Sequence, residues 1–235
     1  LTFKTANIFT TIDTRINKSS SEQNDMIENE FWNMISLLEL VLAHNKLEEP
    51  QSIHNISYFT EQIYKEVQLN YPKLNISDEE IENVSKLATI HDIGKLFTPY
   101  EILNKKGKLT KDEMDIIKKH PLNGANMALK LPKCGKASKL VQYAYNICLY
   151  HHERYDGQGY PKGLIGDEIP LCAQVVGLAD AYDALISERP YKRKINHGEA
   201  VRMIVNGECG SFSPKVILSF IIASMNKTWI EKVSK

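Results

Sequence analysis

Five of the seven histidines in this 235-residue chain, His54, His91, His120, His151 and His152, fall inside or beside apolar helical stretches. Neutral imidazole and carboxylate oxygen are the ligands that a borderline or hard transition metal prefers, and Asp92 and Asp180 complete the pool. His91 and Asp92 are adjacent at the end of an apolar run, so both can project from one rigid stalk into a shared cavity. An aspartate there has two oxygens and can bridge two metals, and such a pair activates a water and clamps a phosphoryl oxygen. Lys95 lies one turn beyond Asp92; if the helix persists, its ammonium reaches the same cavity and neutralises a phosphate. Plainer readings exist for each residue. A lone His-Asp dipeptide is ordinarily a capping hydrogen bond, paired histidines at a helix end can simply suit the helix dipole, and Lys95 alone would be an exposed lysine. Asp180 resists that treatment: it stands in Gly177-Leu178-Ala179-Asp180-Ala181, where an unpaired carboxylate would be costly to bury.

The elements that must position these residues read as helices. Ile27, Phe31, Met34, Ile35, Leu38, Val41 and Leu42 recur at spacings of three and four from Met26 onward. Pro50 suits the first turn of a second helix with Ile53, Ile56, Phe59, Ile63 and Val67 on one stripe, ending before Tyr71-Pro72. Ser77 and Glu80 form a capping box for a third, which runs directly into His91. Thr110 and Glu113 repeat that signal, and the helix they start is expected to reach His120, where Pro121 interrupts it. Further helices are expected over 136–152, after Pro170, after Asn196 and, last, from Ser213-Pro214, with a long loop at 153–168. No alternating strand pattern appears, so the fold class is all-α. Residues 1–25 are polar and weakly periodic, and read as a linker or the tail of an upstream module; residues 26–235 form the domain.

Composition is that of a water-soluble globular chain, 43% hydrophobic and 25% charged. Lysine plus arginine number 29 and aspartate plus glutamate 29, so no overall field draws the chain to DNA, RNA or an anionic membrane, and an anionic substrate must be held by local charges. Cys134, Cys148, Cys172 and Cys209 form no CxxC pair and read as reduced cytosolic thiols, which places the chain in the cytoplasm. No apolar stretch is long enough to span a bilayer. Leu1 is not a methionine, and the expectation is a piece of a longer protein with a sensor or receiver domain upstream.

His91-Asp92-Ile93-Gly94-Lys95, then Pro99, Glu101 through Lys105 and Gly107, resembles the HD-GYP family of bacterial cyclic di-GMP phosphodiesterases, within the HD superfamily of metal-dependent phosphohydrolases. The run from His151-His152-Glu153 to Gly157-Gln158-Gly159-Tyr160-Pro161 carries the signature that names that family, and Gly163-Leu164, Glu168-Ile169-Pro170 and Asp180 to Lys192 continue it. The resemblance covers roughly 50–220 and implies an HD-domain helical bundle with a long GYP loop. It implies that His54, His91, Asp92 and Asp180 hold one divalent metal and Asp92, His120, His151 and His152 another, with Asp92 as the bridge. Iron or manganese is implied, with zinc or nickel compatible with the ligand types. Lys95 would serve the scissile phosphate, Arg189 and Lys192 would grip substrate phosphates, and Gly159 and Tyr160 would line the cleft. Cyclic di-GMP would be the substrate and linear pGpG the product, with further cleavage to GMP left open; another cyclic dinucleotide, or a binding module without turnover, is the alternative. A homodimer is left open. Glu153 is expected to orient a ligating histidine, and His44 and His197 are expected at the surface.

The chain departs from the family pattern at Pro50, where some members carry a glutamate that helps to hold a third metal. Two metals are therefore expected unless Glu48 or Glu49 substitutes from another backbone position. Ser57 and Gln174 stand where arginine is common.

Overall fold

The computed structural model describes residues 2–133, 135, 137–187 and 194–233, with side chains from Glu22 to Lys232. Cys134, Arg189 and Lys192 lie outside these residues.

Residues 1–44 contain neither glycine nor proline, and one helix, α1 (Thr2–His44), runs through the boundary anticipated at residue 25. The polar start lacks a breaker, so nothing in the backbone separates it from the apolar stretch that follows. Phe31, Ile35 and Leu42 are the buried face of α1. Pro50 opens α2 (Pro50–Asn70), whose predicted stripe of Ile53, Ile56, Phe59, Ile63 and Val67 is buried throughout. Ser77 caps α3 (Asp78–Leu87) by accepting from the Glu80 amide. Only half of the expected box forms, because Glu80 instead accepts from the Tyr64 hydroxyl at 2.6 Å.

After α4 (Tyr100–Leu103), Thr110 and Glu113 make the full reciprocal box at the start of α5 (Lys111–Ile117). The helix ends there. His120 opens the next one, α6 (His120–Ala128), with Pro121 in its first turn, rather than closing α5. Proline lacks an amide donor, so it is tolerated where the donor has no intrahelical partner. The remaining helices are α7 (Ala137–Tyr150), α8 (Leu171–Ile186), α9 (His197–Val205), α10 (Pro214–Ser224) and α11 (Lys227–Val233), so the helix begun at Ser213-Pro214 is followed by another. Among the described residues there is no strand; a single bridge between Asp156 and Ile165 pins the loop between α7 and α8.

Helix α2 packs on α3, α8 and α10, and α7 packs on α6 and α8. Trp229 of α11 fills the centre, with its ring 4.5 Å from Phe59 and 5.3 Å from Tyr182. Its indole donates to the Tyr182 hydroxyl, which in turn bonds His197 Nδ1 at 2.8 Å. His197 is thus half-buried and hydrogen-bonded, contrary to the surface position expected for it, because α11 supplies a polar chain that local sequence does not announce. No helix among the described residues is long and apolar enough to cross a membrane.

Candidate metal centre

Beyond α3 the backbone tightens into 3-10 turns at Ala88–Ile90 and Ile93–Phe97, with His91 and Asp92 at the junction. In a 3-10 turn, side chains three apart eclipse. Lys95 therefore reaches Asp92 without the α-helix that the sequence reading required, and the two form an ion pair. The second turn lies against α6 so closely that a Cβ on Gly94 would stand 1.9 Å from the His120 carbonyl oxygen. Glycine at 94 is what lets His120 approach Asp92.

Three rings are oriented by the backbone. Nδ1 of His91 donates to the Ala88 carbonyl at 2.9 Å, that of His120 to Ile117 at 2.8 Å, and that of His151 to Ile147 and Cys148 at 2.9 and 3.1 Å. A carbonyl only accepts, so each Nδ1 carries the proton and the neutral ring presents a lone pair at Nε2. All three lone pairs converge on one carboxylate. His91 Nε2 is 3.2 Å from Asp92 Oδ2, while His120 and His151 Nε2 are 3.0 and 3.8 Å from Oδ1. The Nε2 atoms of His120 and His151 are 3.4 Å apart, acceptor facing acceptor. Among the described residues, His91 Nε2 and Asp92 Oδ1 are buried without a hydrogen-bond partner.

Acceptors gathered in this way repel unless a cation lies among them. The two oxygens of Asp92 divide the ligands, as a bridging carboxylate does. Asp92, His120, His151 and His152 offer ligand atoms within 4.8 Å of one another, and so do Glu48, His91 and Asp92. Asp180 of α8 joins the second group, 3.8 Å from His91 Nε2. The donor set of imidazoles and carboxylates fits divalent metal ions, and divalent metal binding is what this site is built for.

The electrostatics express the same demand. Burial works against ionised Asp92, but Lys95, His91 and His120 outweigh it and hold the carboxyl well below its ordinary value. Burial also lowers His91, yet Asp92, Asp180 and Glu48 prevail and push it up to about 9. Positive charge is wanted between His91 Nε2 and the carboxylates, and either a proton or a metal ion supplies it. On the other side burial dominates, lowering His151 and bringing His152 to about 3, so both rings stay neutral and ligand-competent.

Of the predicted ligands, the structure brings together His91, Asp92, His120, His151, His152 and Asp180. His54 is not among them. It is exposed on α2, whose neighbouring Ser52 and Asn55 face α8 and bond Asp183. Glu48 enters instead, from the short connection before Pro50, accepting from Lys95 Nζ at 2.9 Å. Its position depends on how the chain turns between α1 and α2, and helical periodicity carries no signal for that.

Tyr160 stacks on His152 with centroids 4.6 Å apart, under the Lys118 ammonium. Gly159 serves the loop's fold rather than a positive φ: a Cβ there would stand 2.4 Å from Glu153 Cα. Glu153 does not orient a histidine. Its buried oxygens accept from the Lys162 and Leu164 amides at 2.7 and 3.0 Å, because the loop turns back over it and leaves those amides no other partner.

The chain resembles proteins of known family. A match to the HD domain family covers residues 37–216. A probable cyclic di-GMP phosphodiesterase of Vibrio cholerae is 44% identical over 152 residues, 64% of this chain and 34% of that protein. A cyclic di-GMP phosphodiesterase of Pseudomonas aeruginosa is 42% identical over 151 residues, 64% of this chain and 35% of that one. The chain thus spans about a third of the length of these relatives. Among solved structures, an HDG"Y"P protein from Bdellovibrio bacteriovorus aligns with a TM-score of 0.52 at 21% identity, over 84% of this chain and 66% of that one, which supports the helical fold. The chain belongs to the HD domain family, and its His91-Asp92 pair and Gly159-Tyr160-Pro161 run place it with the HD-GYP type.

Proposed function

We propose that this chain hydrolyses a phosphodiester bond of cyclic di-GMP, giving the linear dinucleotide. The observation that carries the reading is the set of buried, mutually facing acceptors around Asp92, where His91 Nε2 and Asp92 Oδ1 have no hydrogen-bond partner among the described residues. The names of the relatives from Vibrio cholerae and Pseudomonas aeruginosa support the substrate. Two divalent ions, iron or manganese, would be held by His91, Asp92, Asp180 and Glu48 on one side and by Asp92, His120, His151 and His152 on the other.

When bound, such ions supply Lewis acidity that polarises a phosphoryl oxygen and favours charge developing there. The chain's own groups do the rest. Burial lowers Lys95, but Asp92 and Glu48 outweigh it and hold the ammonium protonated, so it offers a fixed positive charge to a phosphate entering beside Asp92. Tyr160, stacked on His152 at the edge of the cluster, offers a flat face to a base and limits water at that side. Glu153 keeps this loop in place through the Lys162 and Leu164 amides. Arg189 and Lys192 remain assigned to substrate phosphates.

Protein prepared anaerobically, assayed for metal content and incubated with cyclic di-GMP tests the reading. Appearance of pGpG is expected, and intact substrate at full metal occupancy would refute it. A second reading rests on two Vibrio cholerae relatives named as 3'3'-cGAMP-specific phosphodiesterases, 32% and 37% identical over 142 and 128 residues. Relative rates on the two cyclic dinucleotides decide between them.

A further inference from the structure

Behind the loop that carries Tyr160 lies a cavity of about 590 Å³, with Arg154 and Asp156 on one side and Ile204, Asn206, Phe212 and Ile217 on the other. It is separate from the metal centre in its lining and meets it through Arg154, which bonds the His151 backbone. Arg154 Nη1 donates to the carbonyls of His151 and Glu153 at 3.1 and 2.8 Å, and its guanidinium lies 4.9 Å from the Phe212 ring centre. Among the described residues no carboxylate comes within ion-pair distance of it. Burial works against this guanidinium, and Asp180 and the neighbouring Asp156 favour its charge, so it lines the cavity as a cation held by carbonyls and an aromatic face. The loop is locked to the opposite wall by the Tyr155 amide, which donates to the Ser211 carbonyl at 2.9 Å, so the walls are preformed.

We infer that this cavity binds a guanosine monophosphate, with its phosphate on Arg154 and its base edge on Asp156. The volume lies in the range that small ligands occupy, roughly 300 to 1,000 Å³. Arginine presents its donors in a fork that matches phosphate oxygens. Asp156 is exposed, with Oδ1 accepting the Gln158 amide at 3.0 Å, and its carboxylate has acceptor capacity left. Guanine presents two adjacent donors, N1–H and the exocyclic amine, which a carboxylate accepts together; adenine does not. Val205 and Ile217 provide the accessible apolar wall against which a planar base lies. The choice of guanine rests on the proposed function, whose linear product carries a guanosine 5'-monophosphate end, and makes this a site where that end returns beside His151.

The test is equilibrium dialysis of 5'-GMP and 5'-AMP against the full chain after chelation of metal, so that neither turnover nor the metal centre contributes. GMP is expected to bind, with AMP about tenfold weaker, the order expected for losing a hydrogen bond to a charged group. Arg154→Gln should weaken both nucleotides at least about tenfold by the same measure. Asp156→Asn, which keeps an oxygen to accept the Gln158 amide, should erase the preference for GMP and leave AMP unchanged. Failure of the chelated parent to bind GMP would overturn the inference, as would equal binding by both variants. A chain that cleaves cyclic di-GMP yet binds no GMP sinks this site alone, and one that binds GMP without cleaving cyclic di-GMP sinks only the proposed activity.

Discussion

Two aspartates sit inside this bundle with almost no access to water, Asp92 at 4% exposure and Asp183 at 0%, and they are accommodated in opposite ways. Asp183 is met by donors: the Ser52 hydroxyl, Asn55 Nδ2 at 2.8 Å and the Ser187 hydroxyl at 3.1 Å. No cation faces it among the described residues, and burial raises its pKa. Asp92 is met by one ammonium and by histidine lone pairs, its Oδ1 has no donor, and its pKa is held far down. A buried carboxylate surrounded by neutral donors is a structural clamp, here between α2 and α8. One surrounded by acceptors is a site waiting on positive charge.

The largest effect should come from Asp92→Asn. It removes the charge and one shared oxygen, and divalent metal affinity should fall by more than about 100-fold, since losing an outer-shell partner alone costs about 10- to 100-fold. Calorimetric titration with Mn(II) reads this directly. The comparison predicts a further asymmetry. Saturating metal at 100 times its Kd stabilises the parent by about 2.7 kcal/mol, and chelation should lower its Tm, whereas the Tm of the variant should ignore chelation. Asp183→Ala should reverse the pattern. Stranding the Ser52 and Asn55 donors costs about 2–4 kcal/mol of folding stability, while metal affinity of the folded fraction stays near that of the parent. Loss of metal at low denaturant in this variant would mean that the two aspartates form one unit. Glu153→Gln comes next, at about 1–3 kcal/mol. Glutamine has one acceptor where the Lys162 and Leu164 amides need two, so limited proteolysis should detect a loosened loop at 153–168 before any change in helicity.

This contrast was only partly legible in the sequence. Asp92 announced itself through its company: the adjacent His91, the paired His151-His152, and His120, expected at a helix end and found at the start of α6. Their types were legible, but their convergence also needed the 3-10 turns around His91 and Asp92 and the close approach at Gly94. The apolar stripes of α2 and α3 were equally plain, because a period of 3.6 residues leaves its mark in which positions are apolar. Asp183 gave no such sign. Its partners Ser52 and Asn55 lie about 130 residues away, on a face of α2 that hydropathy describes as polar and that burial makes internal. The same register decides His54, which hydropathy alone could not distinguish from its neighbours and which the helix turns outward. Glu48 was named only as an alternative to Glu49, because the choice between them depends on the turn between α1 and α2. Glu153 was misread because its partners are backbone amides, and amides have no letter in the sequence. Residues found by type and spacing were those whose partners are also side chains of special chemistry; residues found only by folding bond to ordinary hydroxyls, amides and backbone.

The smallest effect is the most discriminating. Asp183→Asn keeps the shape and allows the hydroxyls of Ser52 and Ser187 to turn and accept, so it should cost about 1 kcal/mol. Its pH dependence carries the argument. Since the folded pKa of Asp183 lies above the ordinary value of 3.8, the native state binds this proton more tightly than the unfolded chain does. Well below that ordinary value both states are protonated and share the same charge. As pH climbs from there towards the folded pKa, the unfolded chain ionises first and stability drains away; above the folded pKa the loss is complete and constant. Asparagine has no proton to lose, so the variant should gain on the parent as pH rises through that window. Urea unfolding of both proteins, measured from about pH 4 to about pH 7 under chelation, isolates this residue because every other titrating group is common to the pair. A stability difference that stayed flat with pH would mean that Asp183 is ionised in the fold as readily as in the unfolded chain. The clamp would then be a charged one, and the distinction drawn from Asp92 would rest on the histidines alone.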